Sequence, residues 1–233
     1  MQPTFSVWTR RRFLKGVAKG ALTGAAAAAW SEFFLTPGAF AQELTRTPAQ
    51  MEGPFYPDRL PLDTDNDLII VNNSITPAVG LITHLSGRVL DSRGDPVRNA
   101  TVEIWQVDNE GSYFHTQGAN PNNGNRRDSH FQGFGRFMTG SSGEYYFRTI
   151  KPVPYPGRTP HIHFKVKIRG RQDFITQCYI RGEPRNNQDG VFRAISNAQQ
   201  REAVLVDWVP TRAWRVSQYA ARFDIILGFT PPG

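Results

Sequence analysis

From residue 85 onward the chain is a succession of short segments in which apolar and polar residues alternate, each closed by glycine, proline or a polar cluster. That period of two places side chains on opposite faces of a strand, and few folds other than a β-rich one accept it repeatedly. Strands are expected at Leu85–Asp91, Thr101–Val107, Glu144–Ile150, His161–Ile168, Asp173–Ile180, Ala203–Val209 and Ala221–Leu227. Ser92-Arg93-Gly94-Asp95-Pro96 reads as the turn between the first two. Short strands joined this way predict an all-β, antiparallel β-sandwich rather than a parallel α/β sheet. One helix is expected near Ser196–Glu202, where Ser196 and Gln199 have capping-box spacing. Two long irregular stretches remain, 118–135 rich in Asn and Gly and 151–160 rich in Pro. Loops of that length in a small domain usually carry function. No internal repeat is present.

The beginning of the chain reads differently. Thr9-Arg10-Arg11-Arg12-Phe13-Leu14-Lys15 resembles the twin-arginine export motif, an Ala-rich stretch runs from Gly16 to Trp30, and Ala39-Phe40-Ala41 has the small-x-small pattern of a cleavage site. The stretch is short for a membrane span and contains Lys19, so no stable span is expected after processing. Residues 1–41 are therefore expected to be a removable leader, 42–61 an irregular arm and 62–233 one domain, with a periplasmic or secreted destination. Proteins exported by this route travel folded, and the single Cys178 fits a chain with no disulfide framework.

The formal charge of +7 shrinks once that leader is set aside, because 22 basic against 19 acidic residues leave +3. With no basic stripe carrying interleaved aromatics, nucleic-acid binding is excluded as a reading. An aromatic content of 12% argues against a disordered chain.

Chemistry concentrates around His161-x-His163. Alternation puts Ile162, Phe164, Val166 and Ile168 on one face and His161, His163, Lys165 and Lys167 on the other, so the two imidazoles can reach one metal while the apolar face packs inward. Spacing alone equally fits two solvent-facing or hydrogen-bonded histidines. The preceding segment, Lys151-Pro152-Val153-Pro154-Tyr155-Pro156-Gly157-Arg158-Thr159-Pro160, pins a tyrosine and an arginine beside the pair, and its prolines limit the entropy of holding them. No cysteine pair or helical His-x-x-Glu suggests zinc, and no acid stands close to the pair for a two-histidine-one-carboxylate site. Tyrosines stand there instead, and phenolate is a hard donor suited to a trivalent cation.

Further motifs run through the chain around this segment: Gly53-Pro54-Phe55-Tyr56-Pro57, Gly87-Arg88-Val89 through Trp105-Gln106, and Gly111-Ser112-Tyr113. They continue from Gly143-Glu144-Tyr145 through Arg148-Thr149-Ile150-Lys151-Pro152 to Pro160-His161-Ile162-His163-Phe164, then Thr176-Gln177 and Gly182-Glu183-Pro184. With them the chain resembles the intradiol ring-cleaving dioxygenases, most of all the iron-bearing beta subunit of protocatechuate 3,4-dioxygenase, and the resemblance covers most of residues 50–185. It implies one non-haem Fe(3+) per chain, held by Tyr113, Tyr155, His161 and His163. It also implies a small aromatic diol and O2 as substrates, with Tyr155 leaving the metal as the diol binds. Arg158 aligns with the family's catalytic arginine and would stabilise negative charge on the ring, and Gln177 aligns with a glutamine beside the substrate. Tyr56 is expected to line the cavity as a substrate-binding residue. The product would be a cis,cis-muconate-type diacid, from a homo-oligomer or an assembly with an iron-free partner subunit.

Between Tyr155 and His161 stand only five residues, a shorter insertion than the protocatechuate and catechol enzymes carry, which implies a more open site. Arg126, Arg127 and Arg136 are candidates to attract a ring carboxylate, and His115 is a candidate neighbour of the metal ligands. His84 and His130 read as structural or surface residues, and Trp105, Trp208 and Trp214 as core or interface aromatics. The competing reading is a transthyretin-like or carboxypeptidase-regulatory-like sandwich that binds without catalysis; it accounts for the strands but not for Tyr155, Arg158, His161 and His163 at this spacing.

Overall fold

The computed structural model describes residues 44–72, 74–211 and 218–231. The expected leader over 1–41, together with Trp214, lies outside the described residues. Among the described residues ten strands form two five-stranded sheets: β1 Ile82–Leu90, β2 Thr101–Trp105, β3 Phe134–Met138, β4 Glu144–Ile150, β5 His161–Lys167, β6 Phe174–Ile180, β7 Leu205–Val206, β8 Val209–Thr211, β9 Gln218–Arg222 and β10 Ile225–Ile226. In the first sheet β1 has β4 on one edge and β9 and β10 on the other, with β8 beyond β9. The second runs β3-β2-β5-β6-β7.

The two sheets share one core. Leu85 and Val89 of β1, Tyr145 and Phe147 of β4, and Ala221 of β9 meet Val102 and Ile104 of β2, Ile162, Phe164 and Val166 of β5, and Cys178 of β6. Each fully buried aliphatic or aromatic side chain there contributes roughly 1.5–3 kcal/mol by leaving water. An all-β sandwich is thus what the alternation builds.

The sheets are mixed rather than purely antiparallel, because β9 and β10 lie parallel to β1 and β7 parallel to β6. The late segments return to the sheets by long connections, and only such connections allow parallel pairing. The expected strand Ala203–Val209 shrinks to Leu205–Val206, since Ala203 still belongs to the helix before it. The expected strand Ala221–Leu227 divides into β9 and β10 around Phe223-Asp224. Strand β3 emerges from the end of the stretch read as irregular. Two short helices follow β6: α1 Gly190–Arg193 and α2 Ala198–Ala203. The cap of α2 is Asn197, whose side chain accepts the Gln200 N–H at 3.0 Å, one residue beyond the expected Ser196. Among the described residues no helix is long and apolar enough to cross a membrane.

Residues 44–61 contain no strand or helix, yet they are stitched to the second sheet and to β10. The Thr47 N–H donates to Ile226 O at 3.0 Å, Gln50 N–H to Ile175 O at 2.8 Å, and Lys165 forms an ion pair with Glu52. This covering explains why β5 is buried on both faces, Lys165 included.

Candidate metal centre

Sheet register brings the first group of side chains together. His163 of β5 stands opposite Trp105 of β2 and Gln177 of β6, and His161 stands opposite Tyr179. Trp105, His161, His163 and Gln177 point to the face away from the main core, because their neighbours Ile104, Ile162 and Cys178 point into it, while the Tyr179 ring packs on Phe192 as part of that core. There the indole of Trp105 lies parallel to the His163 ring, with centroids 4.6 Å apart and planes at 10°. Trp105, Val107, Tyr113 and Phe134 form a second, smaller core on this face, against which Phe55, Tyr56, Val153 and Tyr155 pack.

A turn supplies the next pair. In Tyr155-Pro156-Gly157-Arg158 the Arg158 N–H donates to Tyr155 O at 2.9 Å, and Gly157 has φ of +79°. Proline second and a left-handed glycine third is the type II pattern, and it turns the chain so that Tyr155 and Arg158 flank the same cavity. Tyr113 comes from the loop after β2, where Asp108 Oδ1 accepts the Ser112 N–H at 2.9 Å and Tyr113 N–H donates to Gly118 O at 2.8 Å.

Four rings therefore converge. Tyr113 Oη lies 3.1 Å from His161 Nε2, which is 3.2 Å from His163 Nε2. The Tyr155 ring centroid is 5.3 Å from that of Tyr113 and 5.6 Å from that of His161. Tyr113, His161 and His163 are each no more than 3% exposed. His161 Nδ1 lies 2.6 Å from the Thr159 carbonyl, which can only accept, so Nδ1 carries the proton and the Nε2 lone pair faces the cluster.

Burial and then the charge of Arg158 lower the His161 pKa to about 3. Burial, with His161 beside it, holds His163 well below its usual value. Burial together with Tyr155 pushes the Tyr113 phenol well above its usual value. Two neutral imidazoles and the Tyr113 phenol at hydrogen-bond distances, with the Tyr155 ring beside them, are a donor set with lone pairs turned inward. Such a set fits a small, hard, highly charged cation, which would draw off phenolic protons. Among the described residues no three His, Cys, Asp or Glu side chains gather to hold a metal, so the phenols are what completes this one.

Arg158 is fixed along its whole fork. Nε donates to Asp189 Oδ2 at 2.8 Å, one terminal nitrogen to Gln177 Oε1 at 2.6 Å and the other to Tyr155 Oη at 3.3 Å. Burial opposes its charge, but Tyr155 and Asp189 outweigh burial and raise its pKa, so it stays cationic. A cavity of about 460 Å³ opens in front of Tyr155 and Arg158, walled by Asn120, Asn122, Pro154, Pro156, Arg185 and Gln188.

Of the expected site residues, Tyr113, Tyr155, Arg158, His161, His163 and Gln177 form one contiguous group. Gln177 turns both ends toward protein, accepting from Arg158 and Tyr179 and donating to Met51 O, so it holds the arginine rather than facing the cavity. Tyr56 is not on the cavity wall; its hydroxyl donates to Glu103 at 2.9 Å and its ring lies under Lys165 and edge-on to Trp105. The reason is the buried Glu103 carboxylate, which also gathers Arg136 and Lys167. Arg126 pairs with Glu110, and Arg127 with the ring and carbonyl of Phe114, so none of the three expected arginines lines the cavity. His115 touches Phe55, His84 bridges Tyr146 and Gln218, and His130 pairs with Asp128. Sequence reasoning missed Arg185, Asp189, Tyr179 and Phe55, whose ring stacks on Tyr113 at 5.1 Å.

A family model described as "Dioxygenase" matches residues 51–228, a span holding every residue of the cluster. The chain belongs to the intradiol dioxygenase family. Among its relatives, the protocatechuate 3,4-dioxygenase beta chain of Burkholderia cepacia is 38% identical over 149 residues, covering 59% of this chain and 60% of that protein. Hydroxyquinol 1,2-dioxygenase of Corynebacterium glutamicum is 28% identical over 204 residues, covering 78% and 63%. The chain thus spans less than two thirds of either relative. The solved dioxygenase domain of a dioxygenase carbohydrate-binding protein fusion from Streptomyces sp. SirexAA-E is 30% identical, with a TM-score of 0.60 over 80% of this chain and all of that one.

Proposed function

We propose that this protein is a non-haem ferric-iron intradiol dioxygenase that cleaves a catechol between its two hydroxyl-bearing carbons, incorporating both atoms of O2 to give a cis,cis-muconate-type diacid. The observation that carries this reading is the convergence of Tyr113 Oη, His161 Nε2 and His163 Nε2 at 3.1 and 3.2 Å, with Tyr155 and Arg158 at the cavity beside them. Tyr113, Tyr155, His161 and His163 would hold one iron per chain. Bound there, Fe(3+) supplies the Lewis acidity and electron sink for reaction of the diol with dioxygen.

The residues divide the remaining work. Tyr155 Oη, the ligand atom on the cavity side, takes a substrate hydroxyl proton as the diol enters. Arg158, cationic and immobilised at three nitrogens, stabilises negative charge as it builds on the ring, without reorganising. Pro154 and Pro156 keep that wall rigid. Arg185 on the cavity wall has no side-chain partner among the described residues, which supports a protocatechuate-like diol carrying an anionic substituent. The leader-like residues 1–41 add export by the twin-arginine route to the periplasm or beyond. The protein would assemble as a homo-oligomer, or with an iron-free partner subunit as the Burkholderia relative's name, beta chain, suggests.

Iron-loaded protein should be red to burgundy from phenolate-to-iron charge transfer and should consume one O2 per catechol in an oxygen electrode. Colourless protein that retains no iron and leaves a panel of plain, carboxylated and hydroxylated catechols untouched would overturn the proposal.

A further inference from the structure

Asp189 stands where a short 3-10 turn, Pro184–Gln188, ends and α1 begins. Its side chain is completely buried, and its two oxygens do different work. Oδ1 accepts the Val191 and Phe192 N–H groups at 2.8 and 3.0 Å, capping the helix. Oδ2 accepts Arg158 Nε at 2.8 Å and the Thr159 N–H at 2.9 Å. Thr159 in turn presents its carbonyl to His161 Nδ1 at 2.6 Å, while its hydroxyl donates to Asn186 Oδ1 at 2.8 Å. One carboxylate is therefore a single bond from the guanidinium and one residue removed from the imidazole.

We propose that Asp189 is a positioning residue that holds Arg158 at the cavity and, through Thr159, fixes the ring orientation and tautomer of His161. This rests on the functional reading above. The geometry separates it from an ordinary helix cap, since capping needs only Oδ1. Burial disfavours the Asp189 anion, but backbone N–H donors and Arg158 outweigh it and keep its pKa below the usual carboxylate value, so the clamp remains charged. Orientation of a ligand histidine by a partner on its far nitrogen is how proteins tune a metal site from behind.

Two substitutions isolate the clamp. Asp189→Ser retains a capping oxygen but is too short to reach Arg158. Asp189→Asn keeps an acceptor for the helix and sets N–H groups against those of Arg158 and Thr159. Both variants should fold, as their thermal transitions will report. In iron-free protein, nitrogen NMR should show loss of the Arg158 Nε–H protection from exchange and a shift of His161 away from the Nδ1–H tautomer. In iron-loaded protein kcat and kcat/KM should fall together by about 10–100-fold while KM holds. Folded variants that keep the protected Nε–H, the His161 tautomer and the native kcat would overturn the proposal. The NMR comparison decides the clamp even if the wild-type protein leaves every catechol intact, a result that would sink the functional reading alone.

Discussion

Replacing Arg158 tests the site most sharply, because its stability and rate effects should separate. Its side chain is 15% exposed and makes three polar contacts, to Asp189, Gln177 and Tyr155. In Arg158→Gln the buried Asp189 carboxylate loses its cation but keeps three backbone N–H donors. The cost should therefore fall short of the roughly 3–5 kcal/mol of a stripped buried ion pair and lie near 2–3 kcal/mol. For a domain this size that is about 4–12 °C in Tm. Arg158→Lys can place an ammonium on Asp189 but cannot also reach Gln177 and Tyr155, so it should recover most of the stability. Neither variant presents a planar fork to the cavity, so both should lose roughly two to three orders of magnitude in kcat/KM, about 3–4 kcal/mol of transition-state stabilisation. Denaturant melts of iron-free protein and oxygen uptake by the loaded enzyme measure the two quantities. If the lysine variant regains rate along with stability, the argument from guanidinium geometry fails.

Gly87→Ala would place a Cβ 1.8 Å from the Phe223 carbonyl oxygen, so it should cost more than about 4 kcal/mol and appear as loss of soluble, cooperatively melting protein. Phe55→Ala removes a half-buried ring stacked on Tyr113 and edge-on to Tyr155; stability should fall by about 1–2 kcal/mol and a chelator should strip iron faster, as followed by bleaching of the visible band. In iron-free protein the folded state holds His161 neutral down to about pH 3 and keeps the His163 pKa well below its usual value. The unfolded chain takes up those protons near 6.5, so stability should be fullest above that pH and decline as the pH falls from there toward 3. Urea midpoints measured across that window would show it, and a flat profile would contradict the burial argument.

Strand β4 was legible residue for residue, because Glu144–Ile150 is bounded by a glycine turn and a proline. Strands β9 and β10 were harder. The break at Phe223-Asp224 follows from tertiary contacts, Phe223 O accepting from the Tyr145 hydroxyl and Asp224 Oδ1 from the Arg88 N–H. The histidine pair on one face of β5 could be read from alternation and the Tyr155–Arg158 turn from its Pro-Gly centre, since both signals are local. Asp189 could not be found that way, although an Asp directly before a short helix is a recognisable cap. Its second oxygen meets Arg158 across 31 positions of sequence, and nothing local announces that meeting. Tyr56 misled for the same reason, its hydroxyl being claimed by Glu103, 47 positions away.

The tie between Thr47 and Ile226, 3.0 Å in one direction and 2.9 Å in the other, joins the covering segment to the last strand. During synthesis all four donor rings have been added to the nascent chain well before position 226 leaves the ribosome. The segment that covers them was made earlier still, yet it has no anchor on β10 until that strand arrives. Closing so long a loop is entropically costly and slow. The cover over β5 is thus fastened at two separate places, by Gln50 and Glu52 to the second sheet and by Thr47 to β10, and only the latter waits for the final strand.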